Sequence, residues 1–382
     1  MFERNDYHYI LPKEHIAQES VHPHHDAKLM VVSRENWEIL DESTFWNIDR
    51  FLSRNRVLYF NNSRVEKARI RLKDAHYEKA NGEKWIIEDG EILFTEKHTQ
   101  VTFEWMVRPG KKFKAGTKIF FDTGYVEVLS ESETWRIFQT FDTDIHTIME
   151  KYGELPLPPY IEYQKEKEAD YQTSFAEKNG SIAAPTASLH FTKELLEKLP
   201  NKKHFLTLHV WLGTFKGINT VDVRDYQIHS ETALIEISLF ETLANEKKRG
   251  EIIVAVGTTS CRTLESLPHV WMSLDSSLKK QFSDEAQIFW NSMSSNLENI
   301  QVEKVLVTHE TIEFQTKIYI YPGIPFRIVD ELITNFHLPE SSLLVLVWAF
   351  LSREAILRIY REAIDKNYRF FSFWDGMYIK KS

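Results

Sequence analysis

The sequence has very little cysteine and no long apolar segment. Cys261 is the one cysteine among 382 residues, so neither a disulfide framework nor a thiolate metal cluster can form within the chain. The longest apolar run, residues 343–351, is far shorter than the roughly 20 residues that span a bilayer and is typical of a buried helix. The first residues lack the apolar core of a secretory signal. These absences predict a soluble, cytoplasmic protein without a membrane partner.

The chain also has no overall excess of positive charge. Lysine and arginine together number 47 against 56 aspartates and glutamates, and the formal net charge is −9. Net charge governs long-range attraction, whereas phosphates can still be held by a local basic patch. A nucleic-acid partner would therefore require such a patch on this protein. No feature of the sequence indicates an obligate protein partner.

Length and patterning predict two domains. A chain of 382 residues exceeds the size at which one core keeps growing. Residues 68–149 contain short strand candidates between turn dipeptides such as Asn81-Gly82 and Pro109-Gly110, which is typical of an all-β unit. The rest alternates strands and helices, which favours α/β architecture. We expect a large α/β domain (1–67 and 150–382) that carries the active site and a small β domain (68–149) inserted in it.

Four helix predictions accompany this division. Thr192 is a capping residue for a short helix that runs to about residue 199. Ser341 and Ser342 precede a long helix that we expect to continue to about Asp365. The polar stretch 273–299 is interpreted as a surface helix. A strand over 251–256 leads into a Gly-Thr-Thr-Ser turn, and we expect the next helix to begin near Arg262.

Four groups of segments, in this order along the chain, carry a family resemblance. They contain the runs 153–161 with 171–173 and 180–191, 209–215 with 229–231, 257–266, and 321–323 with 333–339 and 368–372. Together they resemble the S-adenosylmethionine:tRNA ribosyltransferase-isomerases of queuosine biosynthesis. Weaker similarities in 11–18, 61–65 and 108–112 extend the resemblance to nearly the whole chain.

The resemblance implies a fold, a reaction and a set of partners. The fold would be a large α/β domain of barrel-like form with a small all-β domain inserted. The reaction would transfer and isomerise the ribosyl moiety of S-adenosylmethionine, the co-substrate, onto 7-aminomethyl-7-deazaguanine. That base is a 7-deazaguanine precursor at the wobble position of a tRNA, the partner. Epoxyqueuosine would form, with release of adenine and methionine. The implied chemistry needs no metal.

Several residues depart from the family pattern. Trp211 and Trp374 stand where glycine is usual, Lys28 where arginine is usual, and Lys67 and Gly217 where proline is common. Glycine often marks close approach of a ligand, so two indoles there would either fill part of a pocket or lie outside it. A diverged paralogue that binds RNA with altered or lost activity is one alternative. An S-adenosylmethionine methyltransferase is another, although the usual glycine-rich G-x-G turn is missing from the sequence.

The Gly-Thr-Thr-Ser turn predicts an anion site. N–H groups at a helix start, with hydroxyls beside them, suit a carboxylate or phosphate. We expect Thr258, Thr259, Ser260 and Arg262 to hold the donor's methionine carboxylate or a tRNA phosphate. The alternative is that the hydroxyls cap the helix and that Arg262 pairs with Glu265 at i+3.

Three further residues are assigned to donor binding. Glu265 belongs to the same matching segment as Arg262. The amide of Asn335 can bind a base edge, or it can satisfy backbone groups in a turn. Asp375 can pair with the donor ammonium or with the aminomethyl cation of the substrate base, or it can be an ordinary surface carboxylate.

Histidines of the matching segments are the acid/base candidates. The implied reaction needs a base for a proton on the ribose carbon beside the sulfonium and an acid for departure of adenine, and imidazole and carboxylate suit both. We favour His229 with Glu231, which would share one side of an extended strand. The alternates are His190, His209 and His337. Each histidine has an equal alternative role as a hydrogen-bonded structural residue. The run His22-Pro23-His24-His25 is interpreted as a polar loop, and we predict no metal.

A basic run on the predicted β domain is the tRNA candidate. Arg108, Lys111, Lys112, Lys114 and Lys118 are interleaved with Phe113 and lie near Trp105 in sequence; Arg64 and Arg69 are additional candidates. Loop bases stack on aromatic rings while basic side chains meet phosphates. The competing interpretation of the run is a solvated charged turn.

Overall fold

The protein is described by a computed structural model, in the ranges 2–73, 75–97, 99–132, 135–158, 160–211, 217–297, 299–371, 373 and 375–381. Within these ranges a ten-stranded sheet forms the centre. With strands numbered in chain order, its spatial order is β18 (Val302–Val307), β19 (Thr311–Thr316), β16 (Glu231–Glu236), β15 (Lys203–Leu208), β3 (Arg56–Asn61), β17 (Ile252–Val256), β20 (Glu331–Asn335), β21 (Gly376–Lys380), β1 (Lys28–Ser33) and β2 (Ile39–Thr44).

The middle of this sheet is parallel and buried. Strands β15, β3, β17 and β20 run parallel to one another, and antiparallel strands flank them on both sides. Every residue of β3 and β20 is buried, including the polar residues at their ends, as expected for strands covered on both faces. Helices in the described ranges connect and cover the strands, so the predicted α/β class is confirmed. Because ligands of such sheets bind beyond the carboxyl ends of parallel strands, the ends of β17 and β20 indicate where a site would lie.

The helices within the described ranges only partly match the predictions. They are α1 (Ile145–Tyr152), α2 (Lys193–Lys198), α3 (Ser238–Lys248), α4 (Thr258–Ser273), α5 (Ser276–Lys279), α6 (Asp284–Met293), α7 (Ser342–Phe350) and α8 (Arg353–Asp365). Thr192 caps α2 as expected. The prediction of one long helix to Asp365 was wrong: Leu351 leaves the helical region, and the Ser352 side chain caps a new helix. Helix α4 begins four residues before Arg262. None of the described helices has the length and apolar character to cross a membrane.

A second sheet is formed by residues 69–154. Its nine strands are all antiparallel, in the order β13 (Gly153–Glu154), β5 (Arg69–Arg71), β8 (Glu91–Lys97), β9 (Thr102–Arg108), β12 (Trp135–Phe141), β11 (Gly124–Glu131), β10 (Lys118–Phe121), β6 (Ala75–Glu78) and β7 (Lys84–Ile87). The sheet packs on its own apolar cluster, which includes Trp105, Phe113 and residues of α1. A parallel pair, β4 (Ser63–Val65) with β14 (Lys178–Ser181), is separate from both sheets.

Candidate active site

A cavity of about 100 Å³ lies beyond the carboxyl ends of β17 and β20. Its wall is mainly apolar, with a few hydroxyl, amide and imidazole groups, which is the usual composition of a small-molecule site. We call it the central cavity; its lining residues are Tyr160, Tyr171, Ala183, Ala184, Pro185, Thr186, Ala187, Val210, Gly217, Gly257, Thr258, Thr259, Thr334, Asn335, His337, Leu338, Pro339, Ser341, Leu343 and Phe371.

The first turn of α4 forms one end of the central cavity. Strand β17 stops at Val256, and Gly257 turns the chain with a φ of 92°, a backbone conformation that favours glycine. The next two residues, Thr258 and Thr259, both line the cavity. The Thr259 hydroxyl oxygen is buried and has no hydrogen-bond partner among the described residues. First-turn N–H groups lack acceptors within their own helix, so this end of the cavity suits an anion.

Asn335 and His190 form a buried pair beside the cavity. The Asn335 Nδ2 group lies 3.1 Å from His190 Nε2, and the Thr186 hydroxyl donates to Asn335 Oδ1 at 3.0 Å. His190 Nδ1 is 3.4 Å from the His24 carbonyl oxygen, so both ring nitrogens have partners. Burial lowers the pKa of His190 to about 3. The neutral His190 imidazole has a partner on each ring nitrogen and orients the Asn335 amide. Asn335 itself lines the cavity.

His337 and His209 are also largely removed from water. His337 lines the central cavity, with its Nε2 atom 2.9 Å from the Thr334 hydroxyl, and burial lowers its pKa to about 3. Burial likewise lowers the pKa of His209 to about 4. The His209 ring packs against Gly180, and its Nδ1 atom has no partner among the described residues. Both imidazoles are therefore neutral near pH 7.

His229, Glu231 and Arg262 form a charged cluster that the tertiary structure assembles. His229 Nε2 lies 3.5 Å from Glu231 Oε1, and the other carboxylate oxygen is bonded to the Arg262 guanidinium. Arg262 Nε also donates to the Ile318 carbonyl oxygen at 3.2 Å. Burial by itself would raise the pKa of Glu231, but the charge of Arg262 and the His229 ring 3.5 Å away outweigh it and lower the pKa to about 2. Glu231 is thus a permanent anion that can orient His229.

His229 opens into a cleft next to the central cavity. The cleft lies between the two sheets. Trp135 and His146 line one side. Glu313 of β19 and Lys317, directly after β19, line the other. Gly217 lines both the cleft and the central cavity, so the two spaces adjoin. A base in the cleft can thereby reach a ligand that extends out of the cavity.

Two tryptophans, Trp211 and Trp374, stand where the family usually has glycine. Trp211 lines the cleft, is partly buried against the core of the nine-stranded sheet, and is not among the residues that line the central cavity. Its backbone N–H donates to Glu231 Oε1 at 3.3 Å. Trp211 therefore leaves the central cavity open. Trp374 lies outside the described residues.

Four donor candidates are engaged elsewhere in the fold. The Ser260 hydroxyl donates to the Val256 carbonyl oxygen at 2.8 Å. Glu265 accepts the N–H groups of residues 327–329 at 2.8–3.0 Å, so the alternative pairing of Arg262 with Glu265 is wrong. Asp375 accepts the N–H groups of Lys28 at 2.7 Å and Arg369 at 2.8 Å. Both carboxylates lie outside the cavity lining and hold backbone segments in place, and Arg262, also outside the lining, holds Glu231.

The basic run lies on a shallow groove of the nine-stranded sheet. Lys111, Lys112 and Lys114 line the groove together with the side chain of Trp85, which is 47% exposed. Sequence reasoning missed Trp85, because an isolated aromatic residue gives no signal of its exposure. The expected stacking rings Phe113 and Trp105 are fully buried in the core, so that part of the prediction was wrong. An exposed indole beside lysines can stack a base while the lysines meet phosphates.

The three arginine candidates are outside this groove. Arg64 donates to the Ala176 carbonyl oxygen. Arg69 is largely buried, 3.6 Å from Glu91 and within 3.4 Å of the Leu157 carbonyl oxygen. Arg108 is exposed at the end of β9. Of the three, Arg108 is the one whose side chain is most available to a phosphate.

A cavity at the carboxyl ends of parallel strands, with an imidazole in the adjoining cleft, is the usual place and composition of a small-molecule site in an α/β protein. Comparison with known proteins makes the class specific: the family model for queuosine biosynthesis proteins matches residues 4–379. The chain belongs to this family.

Named relatives agree along their whole length. S-adenosylmethionine:tRNA ribosyltransferase-isomerases from Clostridioides difficile and Halothermothrix orenii are each 36% identical to it, over 98% of this chain and 99% and 98% of theirs. The protein of that name from a Sulfurihydrogenibium species is 37% identical over 98% of this chain and 99% of its own. The solved S-adenosylmethionine tRNA ribosyltransferase of Thermotoga maritima is 29% identical, with a TM-score of 0.49 and coverage of 98% and 99%.

Proposed function

We propose that this protein transfers and isomerises the ribosyl moiety of S-adenosylmethionine onto a 7-aminomethyl-7-deazaguanine base at the wobble position of tRNA. Epoxyqueuosine, adenine and methionine are the products. One observation carries the proposal: segments that are far apart in the chain but shared with the family line one cavity. Tyr160, Val210, Thr259, Asn335 and Phe371 come from five such segments and all face the central cavity.

The donor fits the central cavity by its chemistry. The methionine carboxylate is placed at the first turn of α4, where the N–H groups and the Thr259 hydroxyl point. Tyr160 and Phe371, whose ring centroids are 4.1 Å apart, provide an aromatic wall for adenine, and Asn335 provides an amide for its edge. Ser260, Arg262, Glu265 and Asp375 support this wall from behind rather than contact the donor.

The acid/base role falls to His229 in the cleft. Glu231 stays ionised and holds the imidazole, an arrangement in which a carboxylate orients a histidine that moves protons. The unstacked tRNA base enters through the cleft between the two sheets. His190, His209 and His337 are neutral positioning residues in this scheme, since burial depresses the pKa of each.

We also propose a domain organisation, a shape for the ten-stranded sheet and a location in the cell. We infer that residues 68–149 act as an inserted small β domain whose groove contacts tRNA, since this sheet packs on a core of its own. We infer a barrel-like curl of the ten-stranded sheet, because twisted sheets of about ten strands curl rather than stay flat. The substrate, a tRNA, places the enzyme in the cytoplasm. The transfer itself requires no metal.

The function is tested by supplying S-adenosylmethionine and tRNA that carries the precursor base. The expected result is adenine release that depends on the tRNA, with epoxyqueuosine found in the nucleosides of the digested tRNA. Methylated product without adenine would identify a methyltransferase instead. If neither product appears while tRNA still binds, the protein is the RNA-binding paralogue.

Thr259→Val should weaken donor binding without slowing the chemistry. Loss of one hydrogen bond to a charged group costs about 1.5 kcal/mol, so the apparent KM for S-adenosylmethionine should rise about tenfold at unchanged kcat. Steady-state kinetics with varied donor measure this. Thr263→Val is the matched control, because that hydroxyl donates to the Thr259 carbonyl oxygen at 3.0 Å and is outside the cavity lining. An unchanged KM for Thr259→Val would remove this hydroxyl from the donor site.

Charge reversal at Lys111 and Lys112 should weaken tRNA binding and flatten its salt dependence. Each lost phosphate contact reduces the slope of log K against log salt by about one. Trp85→Ala should weaken binding by about 1–3 kcal/mol with an unaltered slope, because stacking is not electrostatic. Binding titrations at several salt concentrations separate these effects. Glutamate at Lys193 and Lys280, which lie outside the nine-stranded sheet, is the charge-matched control. An unaltered slope at positions 111 and 112 would exclude the groove.

A further inference from the structure

A cluster of two imidazoles and one carboxylate lies at the surface, outside the site described above. His22 Nε2 is 3.2 Å from one carboxylate oxygen of Asp170, and His24 Nε2 is 3.3 Å from the other. All three ligand atoms lie within 4.8 Å of one another. We propose that His22, His24 and Asp170 form a binding site for a divalent metal ion of the zinc type, which clamps the N-terminal segment onto the wall of the central cavity.

Both ring nitrogens of His24 lie next to oxygen atoms. Its Nδ1 atom is 3.3 Å from the Leu189 carbonyl oxygen, and its Nε2 atom is 3.3 Å from the Asp170 carboxylate. A ligating imidazole binds the metal through the lone pair of one nitrogen and donates from the N–H of the other. A metal ion shared by Nε2 and the Asp170 carboxylate fits this arrangement. The Nδ1–H bond to a backbone carbonyl is then the outer contact that fixes the tautomer of a ligating histidine.

The donor set and its access fit zinc. Two imidazoles and a carboxylate are a ligand set of zinc sites that keep a position open for water. The Ser20 hydroxyl donates to Asp170 Oδ2 at 2.5 Å and fixes the carboxylate, as outer contacts do in metal sites. The side chains of His24 and Asp170 are about one-fifth exposed, whereas that of His22 is 65% exposed. An ion can therefore enter from solvent past His22.

Two short connections link this cluster to the central cavity. Asp170 precedes Tyr171, which lines the cavity. The His24 carbonyl oxygen is 3.4 Å from His190 Nδ1, and His190 in turn contacts Asn335. A bound ion thus stabilises the wall from outside and takes no part in the transfer. The sequence alone suggested no metal, because Asp170 is 146 positions from His24 and was not visible as a third ligand.

The test uses the full chain after treatment with a chelator. Titration calorimetry with zinc chloride should show about one ion per chain, and zinc should raise Tm, because an ion that binds the folded state stabilises it. Asp170→Asn and His24→Ala should each weaken zinc binding at least tenfold. His25→Ala is the matched control: its Nδ1 atom is 2.7 Å from the Thr192 hydroxyl, outside the cluster, and affinity should be unchanged. Circular dichroism confirms that each variant is folded.

Cobalt substitution gives a second readout that does not depend on activity. Cobalt bound by the wild-type chain should show visible absorption bands that Asp170→Asn lacks. Equal zinc affinity in Asp170→Asn, or equal losses in His25→Ala and His24→Ala, would mean that the histidine-rich segment binds an adventitious ion only. Absence of saturable zinc binding below about 100 μM would also overturn the proposal.

Discussion

Replacing His229 with glutamine is expected to lower kcat for tRNA-dependent adenine release by about two to four orders of magnitude, the usual contribution of one acid/base group. The reason is geometric: its imidazole lies beside an ionised carboxylate and lines the cleft next to the central cavity. Glutamine retains a polar side chain of similar reach but cannot exchange a proton near pH 7. Single-turnover kinetics at saturating donor and tRNA measure the effect.

Two variants test that interpretation of His229. His146→Gln alters another imidazole that faces the same cleft and should leave kcat within about threefold of wild type. Glu231→Gln should lower kcat by a comparable two to four orders of magnitude and shift the pH dependence of the reaction, because a positioning carboxylate also sets the charge of its partner. Losses under threefold at both His229 and Glu231 would discard the assignment. The proton would then have to be taken by another group in the cleft.

Removal of the Arg262 charge should be the most destabilising single change in the site. Arg262→Met leaves the fully buried Glu231 carboxylate without its main counter-charge, and an uncompensated buried charge costs about 3–5 kcal/mol in the free energy of unfolding. Urea titration of wild type and variant measures the difference. The double variant Glu231→Gln/Arg262→Met should recover most of the loss, since it removes both charges together. Additive losses in the double variant would contradict the pairing.

The Glu231–Arg262 pair predicts how the free energy of unfolding changes with pH. The pKa of Glu231 is about 2 in the folded chain and close to the ordinary glutamate value of 4.5 when unfolded. A carboxylate with a lowered pKa contributes stability above the unfolded value, and that contribution is lost as pH falls from about 4.5 to 2. The free energy of unfolding of wild type should therefore fall between pH 6 and pH 3 by more than that of Arg262→Met. Equal slopes would mean that Arg262 does not lower this pKa.

Local patterns were sufficient for most strands and for the small capped helix. Short-range rules account for the nearly continuous apolar run 251–256, for the strands on either side of the turns at 81–82 and 109–110, and for the Thr192 cap. The structure has a strand at 252–256 and confirms the others. The prediction of one long helix after Ser342 was wrong for a different local reason. Ser352 competes for the backbone as a new cap, and helical periodicity on both sides of it hides the break.

Local sequence patterns do not identify interaction partners that are distant in the chain. Arg262 has a glutamate at i+3, yet it pairs with Glu231, 31 positions away, because α4 and the start of β16 face each other. Glu265 accepts three backbone N–H groups instead. Likewise, Phe113 and Trp105 were predicted to stack bases. The sheet buries both rings in its core and leaves Trp85 exposed. Which face of an element meets water is a property of the packed sheet.

By itself, the sequence determined the mixed α/β class and the family, because these depend on periodicity, turn chemistry and motif order along the chain. The tertiary structure alone decided which side chains share a space. It placed Thr259 and Asn335 on one cavity, His229 with Glu231 in the adjoining cleft, and Asp170 against His22 and His24. The physical reason is that charge pairing, burial and pKa depend on distance in space, which the separation of residues along a chain does not specify.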